Sequence, residues 1–286
     1  SEMCIRDSLT TPLKVSAMEA LPKIEIYGIK GLPLIKPGDN IAKLLVEALR
    51  KSGLTLKDGD VIVVSQVIVS KAEGRIVKLK DVKVGPYARM VAEKTGRDAE
   101  LVELILREAS EVLRLRNGHL ITRTKHGFVC ANSGVDLSNV SGGDAAALLP
   151  ANPDASAEKI RREIRRLTGK RVAVIISDTF GRPFRMGQVN VALGVAGMEP
   201  IHDRRGEKDL YGRILQVKEI AVADELASAA ELVMGEADEG IPIAIIRGYR
   251  FKVSRKPGGA RLILSLIHIS EPTRPRLISY AVFCLK

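Results

Sequence analysis

Three acidic residues stand far apart in a basic chain, each in a polar or glycine-containing context: Asp136 in Ser133–Val140, Asp178 in Ser177-Asp178-Thr179, and Glu236 in Met234–Ile241. Oxygen ligands carried by separate elements can converge on a pair of divalent ions that handle phosphoryl groups. The hard oxygens of Asp178 and Thr179 suit Mg²⁺ or Mn²⁺, and the nearby Arg182 and Arg185 suit a phosphate or carboxylate. Each acid also has a plain structural reading. Asp178 could cap a helix or turn after a strand, and Asp136 could close an Asx turn. Lys71, just past an apolar run, could hold a phosphate or be an ordinary surface lysine.

Common catalytic signatures are absent. There is no G-x-x-x-x-G-K-[ST] loop, no G-x-G-x-x-G, no H-E-x-x-H and no G-x-S-x-G, and the four histidines are scattered. The formal net charge of +11 favours anionic partners. Aromatics make up 3% of residues and tryptophan is absent, which weakens a single-strand nucleic-acid reading because stacking needs aromatic faces. Of three cysteines, Cys4 and Cys284 lie near the ends, leaving Cys130 without an internal partner. That fits a reducing cytoplasm and excludes a cysteine-based zinc site. No apolar run approaches the roughly 20 residues that span a bilayer.

The elements that must position these groups follow from the apolar pattern. Strands are expected at Ile24–Ile29, Asp60–Val69, Val172–Ile176, Val189–Val195, Ile214–Ile220 and Ile243–Arg247. Asp178 then sits where a buried strand leaves the core, the usual place for ligands in open α/β sheets. Helices are expected from Ile41 to about Lys51 with Asp39 as N-cap, around Tyr87–Lys94 and Ala99–Ser110, over Ala157–Thr168, and over Ala223–Gly235. Glu111–Arg116, His119–Lys125 and Gly127–Asn132 read as an antiparallel meander, turning at Asn117-Gly118 and His126-Gly127. Gly142–Ala155, small, acidic and proline-containing, reads as a linker. The very basic Lys159–Arg171 stretch presents a broad solvated charged face.

Taken together, several blocks resemble the F420-0:gamma-glutamyl ligase family: GLPLIKPGD (31–39), VSKAEGR (69–75), ANSGVDLSNV (131–140), SAEKIRREI (156–164), TGKRVAVIISDTFGRPFRMG (168–187), GEKDLYGR (206–213), VADELASAAELVMGEADEGIP (222–242) and IRGY (246–249). The resemblance implies an α+β, two-domain fold with mixed sheets, flanking helices and no P-loop, in an intertwined homodimer. It implies a GTP-dependent reaction that adds L-glutamate to the deazaflavin precursor F420-0, then a second one, γ-linked, to F420-1, through an acyl phosphate. It also implies two divalent ions, Mg²⁺ or Mn²⁺, with K⁺ as a further activator. Asp136 and Asp178 would hold one ion, Thr179 and Glu236 the other. GTP would meet Leu32, Pro33, Leu34, Ile35, Gln66 (where the family often has serine), Lys71 and Asn139. The loop Met234, Gly235, Glu236, Ala237, Asp238, Glu239, Gly240 and Ile241 would complete its contacts. Arg182, Arg185, Asp209 and Tyr211 lie in matching blocks with chemistry suited to substrate, and equally suited to holding loops together.

Residues 1–17 and 266–286 match nothing the remainder leads one to expect and read as non-native ends, leaving a domain over 18–265 with two subdomains. Two readings compete with the ligase. A basic nucleic-acid-binding protein would show steep salt dependence and no GTP turnover. A metal-dependent GTP phosphohydrolase would release phosphate without needing glutamate. Neither nucleic acid nor membrane is the expected partner.

Overall fold

The structure is a computed structural model describing residues 21–254 except 117, 141–143 and 183–184, together with 259, 263 and 264. The expected non-native ends and the Asn117 part of the first meander turn lie outside the described residues.

Its centre is a five-stranded mixed sheet in the order β1 (Glu25–Gly28), β12 (Ile243–Arg247), β2 (Val61–Ser65), β8 (Ala173–Arg182) and β9 (Arg185–Ala196). Only β2 and β8 run parallel; the other neighbours are antiparallel. The central strands are apolar on both faces, so each face carries its own core. Ile62, Val64, Val174, Ile176, Ile243 and Ile245 pack under α1 (Ile41–Ser52), α2 (Gln66–Ala72) and α5 (Pro153–Thr168). The intervening Val61, Val63, Ala173, Ile175, Ala244 and Ile246 pack under α6 (Val222–Met234). A further core joins α3 (Pro86–Thr95) and α4 (Ala99–Glu108) to the β4 (Ala109–Arg116), β5 (His119–Thr124), β6 (Val129–Ala131) meander. Beside it, β3 (Ile76–Lys78) pairs with β7 (Ala145–Ala147). A last two-stranded ladder joins β10 (His202–Asp203) to β11 (Glu219–Ile220). The mixed α+β architecture with helices over its sheets is the one expected, and among the described residues no helix is long and apolar enough to cross a membrane.

The main sheet has two edge strands, β1 and β9. An unpaired strand edge invites association with another chain. At β9 carboxylates from the flanking helices cover it: Val195 N donates to Asp154 (2.8 Å), Ala192 N to Asp224 (2.9 Å) and Asn190 N to Glu231 (2.9 Å).

Five expectations are corrected. The N-cap of α1 is Asn40, whose Oδ1 accepts from Lys43 N (3.0 Å); Asp39 instead accepts from Lys36 N (2.7 Å) within the preceding turn. The apolar run from Asp60 to Val69 is strand only to Ser65 and then becomes α2. A run without a turn residue hides such a switch. Its trace is the i,i+4 bond from Gln66 Nε2 to Ser70 Oγ (2.6 Å). Of Gly142–Ala155, residues 142 and 143 lie outside the described residues, and the rest is no linker. Ala145–Ala147 is a buried strand, Leu148 and Leu149 are buried, and α5 already starts at Pro153. Small residues fit there because β7 is sandwiched, not because it is loose. Ile214–Ile220 is a strand only at Glu219–Ile220, since the earlier part finds no long ladder to join. Finally, β8 does not stop at Ile176 but continues to Arg182, with β9 starting at Arg185.

Candidate functional site

The β8 extension decides where Asp178 stands. Pairing between β2 and β8 ends at Ser65 opposite Ser177, where β2 gives way to α2. From Asp178 onward β8 keeps only β9 as a neighbour, so one of its edges opens beside the carboxyl end of the parallel pair. That is the crevice in which open sheets bind ligands. A register shift between Ile176 and Ser177 leaves Leu193 of β9 as the extra residue, bending the ribbon where it departs.

Two further acids, carried by other elements, act on Asp178 through their charge. Asp136 follows the meander. Its backbone pairs in both directions with Ala147 (3.0 and 2.7 Å), and its carboxylate accepts from Ser138 N (2.8 Å) and Ser138 Oγ (2.5 Å). The Asx turn is therefore real and coexists with proximity to Asp178. Glu236 lies in the loop after α6. Burial pushes the Asp178 carboxyl up to about 7; the Thr179 N–H opposes this, and the charges of Asp136 and Glu236 add to it. Cys130 on β6 feels the same place. Burial pushes its thiol up to about 12, with the charge of Asp178 adding. It is thus an inert neighbour rather than a nucleophile.

Asn190 ties the cluster together and was not singled out by its sequence context. It lies opposite Thr179 on β9 and is only 3% exposed. Its Nδ2 donates to Glu236 (2.9 Å), its Oδ1 accepts a long bond from Thr179 Oγ1 (3.4 Å), and its carbonyl accepts from Ser228 Oγ (2.8 Å). The available signal was weak: a polar amide between the apolar Val189 and Val191, directly opposite Thr179.

The donor set is all hard oxygen, and the charges acting on the half-buried Asp178 are both negative. Those features fit a divalent oxygen-seeking cation such as Mg²⁺ or Mn²⁺. Among the described residues no three His, Cys, Asp or Glu side chains form a ready cage for one ion. Mg²⁺ commonly binds through one or two carboxylates completed by substrate phosphates and water, so a sparse set suits it.

Other expected residues gather in a second feature, a cavity of about 540 Å³. Leu34, Ile35, Pro37, Ile76, Val140 and Ala145 give it apolar walls; Lys36, Lys71, Lys78, Lys80 and Asp144 supply charge. Leu32 packs against the neighbouring core, and Asn139, with φ of +52°, precedes the lining residue Val140. Leu34, Ile35 and Lys71, far apart in sequence, are thus brought together. Gln66 is turned inward: it is 1% exposed, with Nε2 on Ser70 Oγ and Leu148 O and with Oε1 unpartnered. The loop 235–241 is folded on itself. Glu239 accepts from Ala237 N (2.8 Å), and its carboxylate occupies the space a Cβ on Gly235 would need. With φ of +69° at Gly235, only glycine suits this turn.

The arginines and the GEKDLYGR block lie elsewhere. Arg182 pairs with Arg185 at the far tip of the β8–β9 ribbon, and its Nη2 donates to Met186 O (2.6 Å). Arg182 lies four steps along the strand from Asp178, roughly 13 Å, so within one chain they do not meet. Asp209 accepts from Tyr211 N (2.9 Å) and Arg213 N (2.8 Å), which makes it a turn-holder, and Tyr211 is 92% exposed.

Comparison with known proteins follows the same blocks. The sequence model of a family described as F420-0:Gamma-glutamyl ligase matches residues 28–248. The chain is 54% identical to the coenzyme F420:L-glutamate ligase of Methanothermobacter thermautotrophicus over 241 residues, 84% of this chain and 95% of that protein. It is 51% identical over 228 residues to the protein of that name from Methanocaldococcus jannaschii (79% and 88% covered), and 45% over 241 to that from Methanopyrus kandleri (84% and 93%).

Proposed function

The chain belongs to the F420-0:gamma-glutamyl ligase family and is a ligase of coenzyme F420 biosynthesis; from that premise we propose that it couples GTP cleavage to amide formation between L-glutamate and F420-0, and then F420-1. The observation that carries this reading is the position of Asp178 at the open end of the β2–β8 pair, where the charges of Asp136 and Glu236 both act on it.

In this reading Asp136 and Asp178 hold one divalent ion and Thr179 and Glu236 the other, with Asn190 restraining the second pair. The ions supply neutralisation of phosphate charge, without which the carboxylate and nucleotide anions repel each other. The acceptor carboxylate attacks the γ-phosphorus, GDP departs, and an acyl phosphate forms. The amine of glutamate then attacks the acyl carbon, phosphate leaves, and loss of a proton completes the amide. The 32–35 segment, Lys71, Asn139 and the 234–241 loop orient the nucleotide, removing much of the entropic cost of encounter. K⁺ acts as an additional activator and the enzyme works in the cytoplasm as a homodimer. Exposed Leu210, Tyr211, Ile214, Val217 and Met186 supply apolar surface in keeping with a second copy.

The test is GDP release by the full chain with Mn²⁺ and F420-0, with and without L-glutamate, following product mass. Glutamate-dependent GDP release with one or two added glutamyl units is expected. Release indifferent to glutamate would indicate a phosphohydrolase, and no turnover by folded protein would refute the reading.

A further inference from the structure

The charge in the 540 Å³ cavity is one-sided: four lysines line it against the single carboxylate of Asp144. Like charges gathered without partners cost free energy unless an anion joins them. Their convergence is built into the fold. Lys78 stands two residues from Ile76 on β3, so both point to the same side, and Lys80 follows in the short turn Leu79–Asp81. That turn is pinned by the bond from Leu79 N to Asp144 O (2.9 Å). Lys71 stands in the last turn of α2, and Gly38 N bonds to Ala72 O (2.8 Å), which holds the turn bearing Lys36 against it. None of the four ammonium groups forms an ion pair with a described carboxylate. Burial lowers the pKa of Lys71, so its charge is already partly stripped of water.

The cavity also adjoins the acids. Ala145 lines it, and two residues along β7 the backbone of Ala147 pairs with Asp136. Two strand residues span roughly 7 Å, about the reach of a di- or triphosphate chain. A polyanion in the cavity thus extends toward the acid cluster.

We propose that Lys78 and Lys80, at the wall of this cavity, make its affinity for the nucleotide depend on the number of phosphates. The assignment rests on the nucleotide reading above and adds residues that reading did not include. The apolar walls hold the neutral part of the ligand while the ammonium groups grade it by charge.

The experiment compares wild type, Lys78→Ala/Lys80→Ala and Lys78→Arg/Lys80→Arg by calorimetric titration with GTP, GMP and inorganic tripolyphosphate at several salt concentrations. Both lysines are exposed, so melting temperature should be unchanged. The alanine pair should weaken GTP and tripolyphosphate by about tenfold or more, weaken GMP less than twofold, and flatten the salt dependence; the arginine pair should retain affinity. Equal losses for GTP and GMP, or no loss for either, would overturn the proposal. So would a raised KM for F420-0 with GTP affinity unchanged, which would hand the cavity to the other substrate. Wild type binding tripolyphosphate but not GTP would refute the nucleotide reading and leave the anion site standing; binding neither would refute both.

Discussion

Asn190→Ala separates a positioning role for this amide from simple packing. Two side-chain bonds are lost. The bond to the Glu236 carboxylate, at 2.9 Å, is of the charge-assisted kind worth about 1.5–3 kcal/mol, while the 3.4 Å contact with Thr179 contributes less than about 1 kcal/mol. The backbone bonds to Glu231 and Ser228 survive the substitution. A cost of about 2–3 kcal/mol follows, which lowers Tm by roughly 5–10 °C at about 2–4 °C per kcal/mol for a chain of this size class. Packing loss alone would stop there. A restraint on Glu236 also predicts that Mn²⁺ binding weakens about 10–100-fold, the usual effect of removing a partner of a metal ligand. Thermal melts in chelator give the first quantity and Mn²⁺ titration by electron paramagnetic resonance the second. Asn190→Asp adds a charge beside the acids, so its melting temperature should fall further without metal and recover in part with Mn²⁺. A Tm within about 1 °C of wild type together with unchanged Mn²⁺ affinity would refute the reasoning.

Three other outcomes are expected. The Asp178 carboxyl titrates near 7 in the fold, above the ordinary carboxylate range of about 4, so the folded protein holds a proton that the unfolded chain releases. Its contribution to stability is present below about pH 4 and is lost as pH rises through about 7. Melting in chelator should therefore decline more from pH 5 to pH 8 for wild type than for Asp178→Asn, which should also lose glutamate-dependent GDP release; parallel profiles would contradict this. Gly194→Ala places a Cβ into the Pro153 carbonyl, backbone against backbone, and should cost about 3 kcal/mol in urea denaturation. Arg247→Met leaves Asp60, 1% exposed, without its two bonds at 2.8 and 2.7 Å, and should cost about 3–5 kcal/mol; adding Asp60→Asn should recover part of it.

What could be read from the sequence tracks what is local. The central strands announced themselves because β2, β8 and β12 are apolar on both faces, and the meander because its strands are separated by short polar turns. The limits of β8 and the start of α2 were hidden for one reason: both depend on which neighbour a strand has at each residue. Ser65 ends β2, and that alone changes what Asp178 faces. The alanines of β7 looked like a linker because small residues mark both loose segments and tightly sandwiched ones. Asn190 carries no motif, and its role exists only because register sets it opposite Thr179. Lys36, Lys78 and Lys80 stand in no motif that singles them out, and only β3 and the 36–38 turn bring them to one cavity.

The placement of the acids explains why they must be so far apart in sequence. A single loop bearing three carboxylates could relax away from its own repulsion, and the charge would be spread into water. Here each acid is pinned by a different structural need: Asp136 by its ladder bonds to Ala147, Asp178 by the ribbon with β9, Glu236 by Asn190. None can retreat without breaking its own element, so the repulsion around Asp178 persists in the folded chain. In the proposed reading a cation arriving with the nucleotide would relieve that repulsion, and its binding energy would thereby be linked to the integrity of all three elements. Mn²⁺ with GTP should accordingly raise the melting temperature of wild type more than that of Asp136→Asn, Asp178→Asn or Glu236→Gln. A uniform shift across the four proteins would show that the ion binds elsewhere.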